Sequence, residues 1–137
     1  MSKRNKDLIA AAKKVREKAH APYSKFKVGA AILSASGKIY TGCNMENASY
    51  GLTVCAERNA VAQMVAAGEK TLVSLAVVTD RPKPASPCGA CRQVISEFSP
   101  NAEIVMSNLK GIILIENLLH LLPSRFRKES FKCARPV

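Results

Sequence analysis

Apolar positions along the first half of the chain recur every three or four residues, then every two. From Lys6 to His20, Leu8, Ala11, Ala12, Val15 and Ala19 keep helical spacing, with Lys13, Lys14, Arg16 and Lys18 between them, which predicts an amphipathic helix. "KVGAAILSASGKIYTGCN" reads as two strands around a turn at Ser36 and Gly37, rich in small residues suited to close packing against a helix. Cys55 to Ala67 is a second helical stretch, stopped by Gly68. "TLVSLAVVT" is the kind of apolar strand that is buried on both faces. The Pro-rich loop "DRPKPASP" then delivers the chain to Cys88, after which Gly89 to Phe98 suits a third helix. "AEIVMS" predicts a fourth strand and "GIIL" a fifth, before a last helical stretch from Glu116 to Leu122 that Pro123 ends. The order predicts one α/β domain over residues 1–137, three layers deep, with a mixed sheet of about five strands and helices on both faces.

Composition adds a packed core to this picture, since 47% of the 137 residues are hydrophobic and 23% charged. No apolar run reaches the roughly 18 to 20 residues that span a bilayer, and "MSKRNKDLIAAAKK" is not followed by a signal-type apolar core. A cytoplasmic protein is expected. Its cysteines are Cys43, Cys55, Cys88, Cys91 and Cys133, an odd set that favours metal or catalytic use over a disulfide framework. The net charge of +11 raises the question of nucleic acid. Its distribution answers otherwise: residues 1–27 hold nine Lys/Arg against two acids, residues 123–137 five against one, and residues 28–122 seven against seven. The body is neutral, and from about residue 127 the chain is a basic tail.

The chemistry gathers at two predicted helix starts. "PCGAC" sets Cys88 and Cys91 three apart on one helix face, near the positive end of the dipole where thiols ionise readily. A lone CxxC serves zinc or a redox pair about equally well. Cys55 also opens a predicted helix, so two helix starts can point at one ion and leave a fourth position open, as in a catalytic zinc site. Glu57, in the same first turn, is then near enough to act on a water as general base. Taken singly, Glu57 is an acid favoured by a helix N-terminus and Cys55 a small buried hydrophobe; taken together they are a site. Three thiolates around a dication leave net negative charge, and the Arg58 guanidinium, donating to sulfur, offsets it.

The combination of C-A-E with P-C-x-x-C resembles the signature of zinc nucleobase deaminases. "PYSKFKVGAAI", "NMENASYG" and "VCAERNA" are similar to the small cytidine deaminases with three cysteine ligands, and the likeness runs from Ala21 to about Phe98. It implies zinc-dependent hydrolytic deamination of cytidine and deoxycytidine, with Zn2+ on Cys55, Cys88 and Cys91 and Glu57 as proton shuttle. It further implies that Phe26 packs at the pyrimidine, that Asn44 and Glu46 hold the ribose, and that Ala56 and Tyr50 contact substrate. "LLPSRF" keeps a family pattern that nominates Phe126 to reach a neighbouring site in a homotetramer. The basic residues Arg125, Arg127, Lys128 and Lys132 around it, and the apolar "GIILIENLLH" before it, depart from that pattern. Extended backbone would turn Asn44 and Glu46 to one face and Met45 away, whereas turn chemistry is the alternative for "CNMENAS". Cys43 is expected in a strand core and Cys133 in the tail.

Three rivals stand beside this reading. One is a deaminase or binding module for nucleic acid; the scarcity of aromatics, at 5% with no Trp, argues against its stacking platforms. Another is a structural zinc site closed by Cys43 or Cys133. The third keeps the reaction and takes another aminopyrimidine nucleoside.

Overall fold

Pairing of five strands organises the chain, and a computed structural model describes residues 1–131. Helix α1 (Lys3–Arg16) precedes β1 (Gly29–Ser34) and β2 (Ile39–Cys43), followed by α2 (Ala56–Ala66), β3 (Leu72–Thr79), α3 (Gly89–Phe98), β4 (Glu103–Asn108), β5 (Ile113–Asn117) and the short α4 (Leu118–Leu121). The sheet order is β2-β1-β3-β4-β5. Its one parallel pair is β3 with β4, joined by the α3 crossover.

Alternation along the central strands feeds two cores. Ala30, Ile32, Leu75, Val77, Ile104 and Met106 pack with α2, with Ile95 of α3 and with Leu118 of α4. Ala31, Ala76, Val78 and Val105 point the other way, onto Leu8 and Ala12 of α1. A strand covered on both faces needs apolar residues at every position, and this is why β3 reads as continuous hydrophobicity. Val73 departs from that expectation with 39% exposure.

Glycine sets the distance between β2 and α2. A Cβ placed on Gly42 would stand 2.4 Å from Ala60 N and 2.5 Å from Ala56 O, closer than any side chain permits. Further along, Gly68 stops the chain after α2 at φ +87°, the left-handed conformation that glycine adopts without strain.

Three element boundaries differ from expectation. Helix α1 starts at Lys3, capped by the Ser2 hydroxyl accepting from Asn5 N at 3.2 Å, and it ends at Arg16 instead of His20. His20 is held elsewhere, since its N–H donates to Asn44 O at 3.0 Å and its carbonyl accepts from Glu46 N at 2.8 Å. The fifth strand begins at Ile113, after a turn in which Asn108 Oδ1 accepts from Lys110 N at 3.0 Å and Ile112 N at 2.9 Å. Glu116 and Asn117 therefore pair with β4, and the final helix shrinks to Leu118–Leu121, with Asn117 accepting from Leu119 N. Among the described residues, no helix is long and apolar enough to cross a membrane.

Candidate active site

Both thiol-bearing helices begin with cysteine in the capping position. Cys55 precedes α2 and Cys88 precedes α3, each with extended backbone, and the Cys88 side chain folds back over the first turn of its helix. Cys88 Sγ accepts from Cys91 N at 3.5 Å, and Cys91, one turn on, is fully buried. The packing of α2 against α3 brings the two starts together. Cys55 Sγ lies 3.8 Å from Cys88 Sγ, and the three sulfurs of Cys55, Cys88 and Cys91 are all within 4.8 Å of one another.

These sulfurs fit zinc. A tetrahedral ion at about 2.3 Å from each sulfur holds neighbouring sulfurs roughly 3.8 Å apart. Cys43 does not join them; it sits half-buried at the end of β2 in a separate groove lined by Val15, Asn59 and Gln63, so it is neither a core residue nor a fourth ligand. Cys133 lies outside the described residues.

In the cluster Cys55 ionises readily, and the Arg58 guanidinium faces it. The neighbouring Cys91 thiol, aided by Arg58, pulls the pKa of Cys55 down to about 5, while that crowding and burial push Cys91 up. Arg58 Nη2 stands 3.8 Å from Cys55 Sγ and 3.5 Å from Thr53 O. It meets one sulfur of the three by hydrogen bond. Glu57 is 4% exposed, and burial raises its pKa to about 7. A carboxyl raised from 4.5 stabilises the fold below that value, and the contribution is lost as pH rises through about 7. Glu57→Gln should therefore stabilise chelator-treated protein at pH 8 by on the order of 3 kcal/mol relative to its effect at pH 4. Thermal melts at the two pH values measure this, and equal shifts at both would contradict it.

Beside the sulfurs is a cavity of about 340 Å³, within the range of small-molecule sites. Its lining includes the expected Phe26, Asn44, Glu46, Cys55, Ala56, Glu57 and Cys88. Asn44 and Glu46 do share this face, while Met45 turns into the separate groove. The amide of Asn44 also braces the wall, accepting from Val28 N at 2.8 Å and donating to Phe26 O at 2.7 Å. Glu46 accepts from Tyr23 N at 3.0 Å, from Ser24 N at 3.1 Å and from the Ser24 hydroxyl, and the last bond holds its pKa below the usual value. The Arg81 guanidinium covers the Phe26 ring at 4.6 Å.

Two expected contacts lie apart from this cavity. Tyr50 is 73% exposed and borders a smaller recess with Tyr23, Ser24, Glu46 and Thr53. Phe126 is 56% exposed near Gln93 and Glu97, and its carbonyl accepts from Gln93 Nε2 at 2.8 Å. Sequence reading missed Ser24, Val28, Thr53, Val77, Thr79, Ala85 and Ser86 in the lining. Thr79, like Ser74, is a hydroxyl in a largely apolar strand, and no local pattern marked which of the two borders the cavity.

Residues 2–107 match the family model for the cytidine and deoxycytidylate deaminase zinc-binding region. The cytidine deaminase of Sporosarcina psychrophila is 51% identical over 128 residues, covering 93% of this chain and 94% of its own. That of Halalkalibacterium halodurans is 46% identical over 123 residues, covering 89% and 93%. The crystal structure of cytidine deaminase from Burkholderia pseudomallei aligns with a TM-score of 0.87 at 48% identity, over 92% of this chain and all of that one. The Mycobacterium tuberculosis enzyme gives 0.78 at 38% identity, over 89% and 96%. Likeness of this breadth, falling on a thiol cluster with the spacing of a zinc site, makes the chain a member of the cytidine and deoxycytidylate deaminase family.

Proposed function

We propose that the chain hydrolyses cytidine and deoxycytidine to uridine and deoxyuridine, releasing ammonia. One observation carries the reading: a carboxyl buried at Glu57 beside three converging sulfurs, on the wall of a cavity of small-molecule size. Cys55, Cys88 and Cys91 hold zinc, which when bound supplies the Lewis acidity that brings a water's pKa toward about 7. Glu57 takes a proton from the attacking water and delivers it to N3 of the pyrimidine as the new C4–O bond forms. It then moves the second water proton to the amino nitrogen, the C4–N bond breaks, and ammonia leaves a C4 carbonyl behind. Burial raises the proton affinity of the Glu57 carboxyl, which favours its carrying a proton between oxygen and nitrogen.

The remaining residues orient the substrate. Phe26, fixed from outside by Arg81, packs on the base beside the buried Ala56, and Asn44 and Glu46 meet the sugar hydroxyls from one face. Tyr50 closes the sugar end from its recess beside Glu46. Arg58 shares its charge with Cys55 and steadies the anionic cluster.

An assay of ammonia release tests the reading, using free cytidine, deoxycytidine, other aminopyrimidine nucleosides and a cytosine-containing single-stranded oligonucleotide at near-physiological salt. Conversion of the nucleosides alone is expected. Comparable conversion within the oligonucleotide would promote the nucleic-acid rival.

The enzyme acts as a homotetramer in the cytoplasm, each chain one domain with a basic tail. Phe126, exposed and outside its own chain's cavity, then completes a neighbouring site. Sedimentation should give four chains per particle, and Phe126→Ala should raise KM for cytidine several-fold, about 1 kcal/mol, with zinc retained. A fully active monomer would contradict both expectations.

A further inference from the structure

We propose that the Thr79 hydroxyl binds the pyrimidine base, an assignment that rests on the nucleoside reading of the cavity. Thr79 is the last residue of β3, at the carboxyl end of one of the two parallel strands, where open α/β sheets place their ligands. Strand alternation puts its side chain on the same face as Leu75 and Val77, which α2 covers. Thr79 lines the cavity, is fully buried, and its Oγ1 has no hydrogen-bond partner among the described residues.

A buried hydroxyl left in that state weakens the free protein, and a ligand that engages it recovers the loss. Position within the cavity decides which part of the ligand this is. Glu46 and Ser24, hydrogen-bonded together, mark the sugar end, and the cysteines with Glu57 mark the reacting end. Between them Phe26, Val28 and Val77 form an apolar wall, and Val28 adjoins Thr79 because Gly29 pairs with Val78. One uncommitted hydroxyl in an apolar wall suits a flat ring with polar edges. Thr79 is thus a binding residue for the base and indifferent to the sugar.

Thr79→Val keeps the side-chain shape and removes the hydroxyl. In the zinc-loaded enzyme it should leave Tm unchanged or higher. It should also raise KM about 3- to 10-fold for cytidine and deoxycytidine alike, with kcat within about twofold, as expected when a bond is made equally in ground and transition states. Thr79→Ser should restore KM. An unchanged KM in Thr79→Val would overturn the proposal, as would a lowered Tm with unchanged kinetics, which places the hydroxyl's partner in the protein framework. A loss confined to one of the two sugars would overturn the assignment to the base. If the unmodified enzyme leaves cytidine untouched, the nucleoside reading fails and this assignment with it.

Discussion

Glu57→Gln should lower kcat for cytidine by about 10²- to 10⁴-fold while leaving zinc content and fold intact. Glutamine fills the same buried space but cannot take the proton of the attacking water. The reaction needs two proton transfers, to N3 and to the departing nitrogen, and among the described carboxylates only Glu57 lies both in the cavity and beside the sulfurs; Glu46 stands with Ser24 at the other end of the cavity. Because the burial that raises its pKa opposes folding at neutral pH, this variant should be slower and, without metal, more stable. Steady-state kinetics alongside metal analysis check the first half. Turnover within a few fold of the parent would remove Glu57 from the mechanism.

Cys91→Ala should reduce zinc from one per chain to a small fraction and abolish turnover, the second large effect. Cys91 is fully buried behind the other two sulfurs, so no solvent-exposed group can move in as replacement. Two thiolates and water bind zinc far more weakly than three thiolates held in place by folded helices. Cys43→Ala, in its separate groove, is the control that should keep both metal and activity. Stoichiometric zinc in Cys91→Ala would show that the three sulfurs are not the ligand set.

Local signals made much of this legible. Helix α3 has the bounds that its pattern predicts, because Cys88 caps it and apolar residues line one side. The clustering of Cys55, Cys88 and Cys91 was expected from cysteines at two helix starts together with the family likeness, and their sulfurs do come within 4.8 Å of one another. What failed to read were features decided by distant partners. His20 leaves the helical pattern to pair with the segment around Met45, and Asn117 joins β5 because β4 offers ladder partners. The amide of Asn44 supports residues 26 to 28 as well as facing the cavity, and no local pattern announces which backbone groups a side chain will meet. Tyr50 carried a motif likeness but stands outside the main cavity, since its short helical turn has no buried residue.

The close seat of α2 on Gly42 bears on how a mutational screen of this protein would read. Any side chain at Gly42 must lift the helix at Ala56 and Ala60, and Ala56 is the link between Cys55 and Glu57. A shift of about 1 Å in catalytic geometry can cost on the order of 10²-fold in rate. A screen scored on activity alone would then rank a strand glycine with the proton shuttle and file it as part of the active site. Scoring abundance and activity in parallel would separate the two positions. Glu57 variants would be abundant and inactive, whereas those at Gly42 would lose both together.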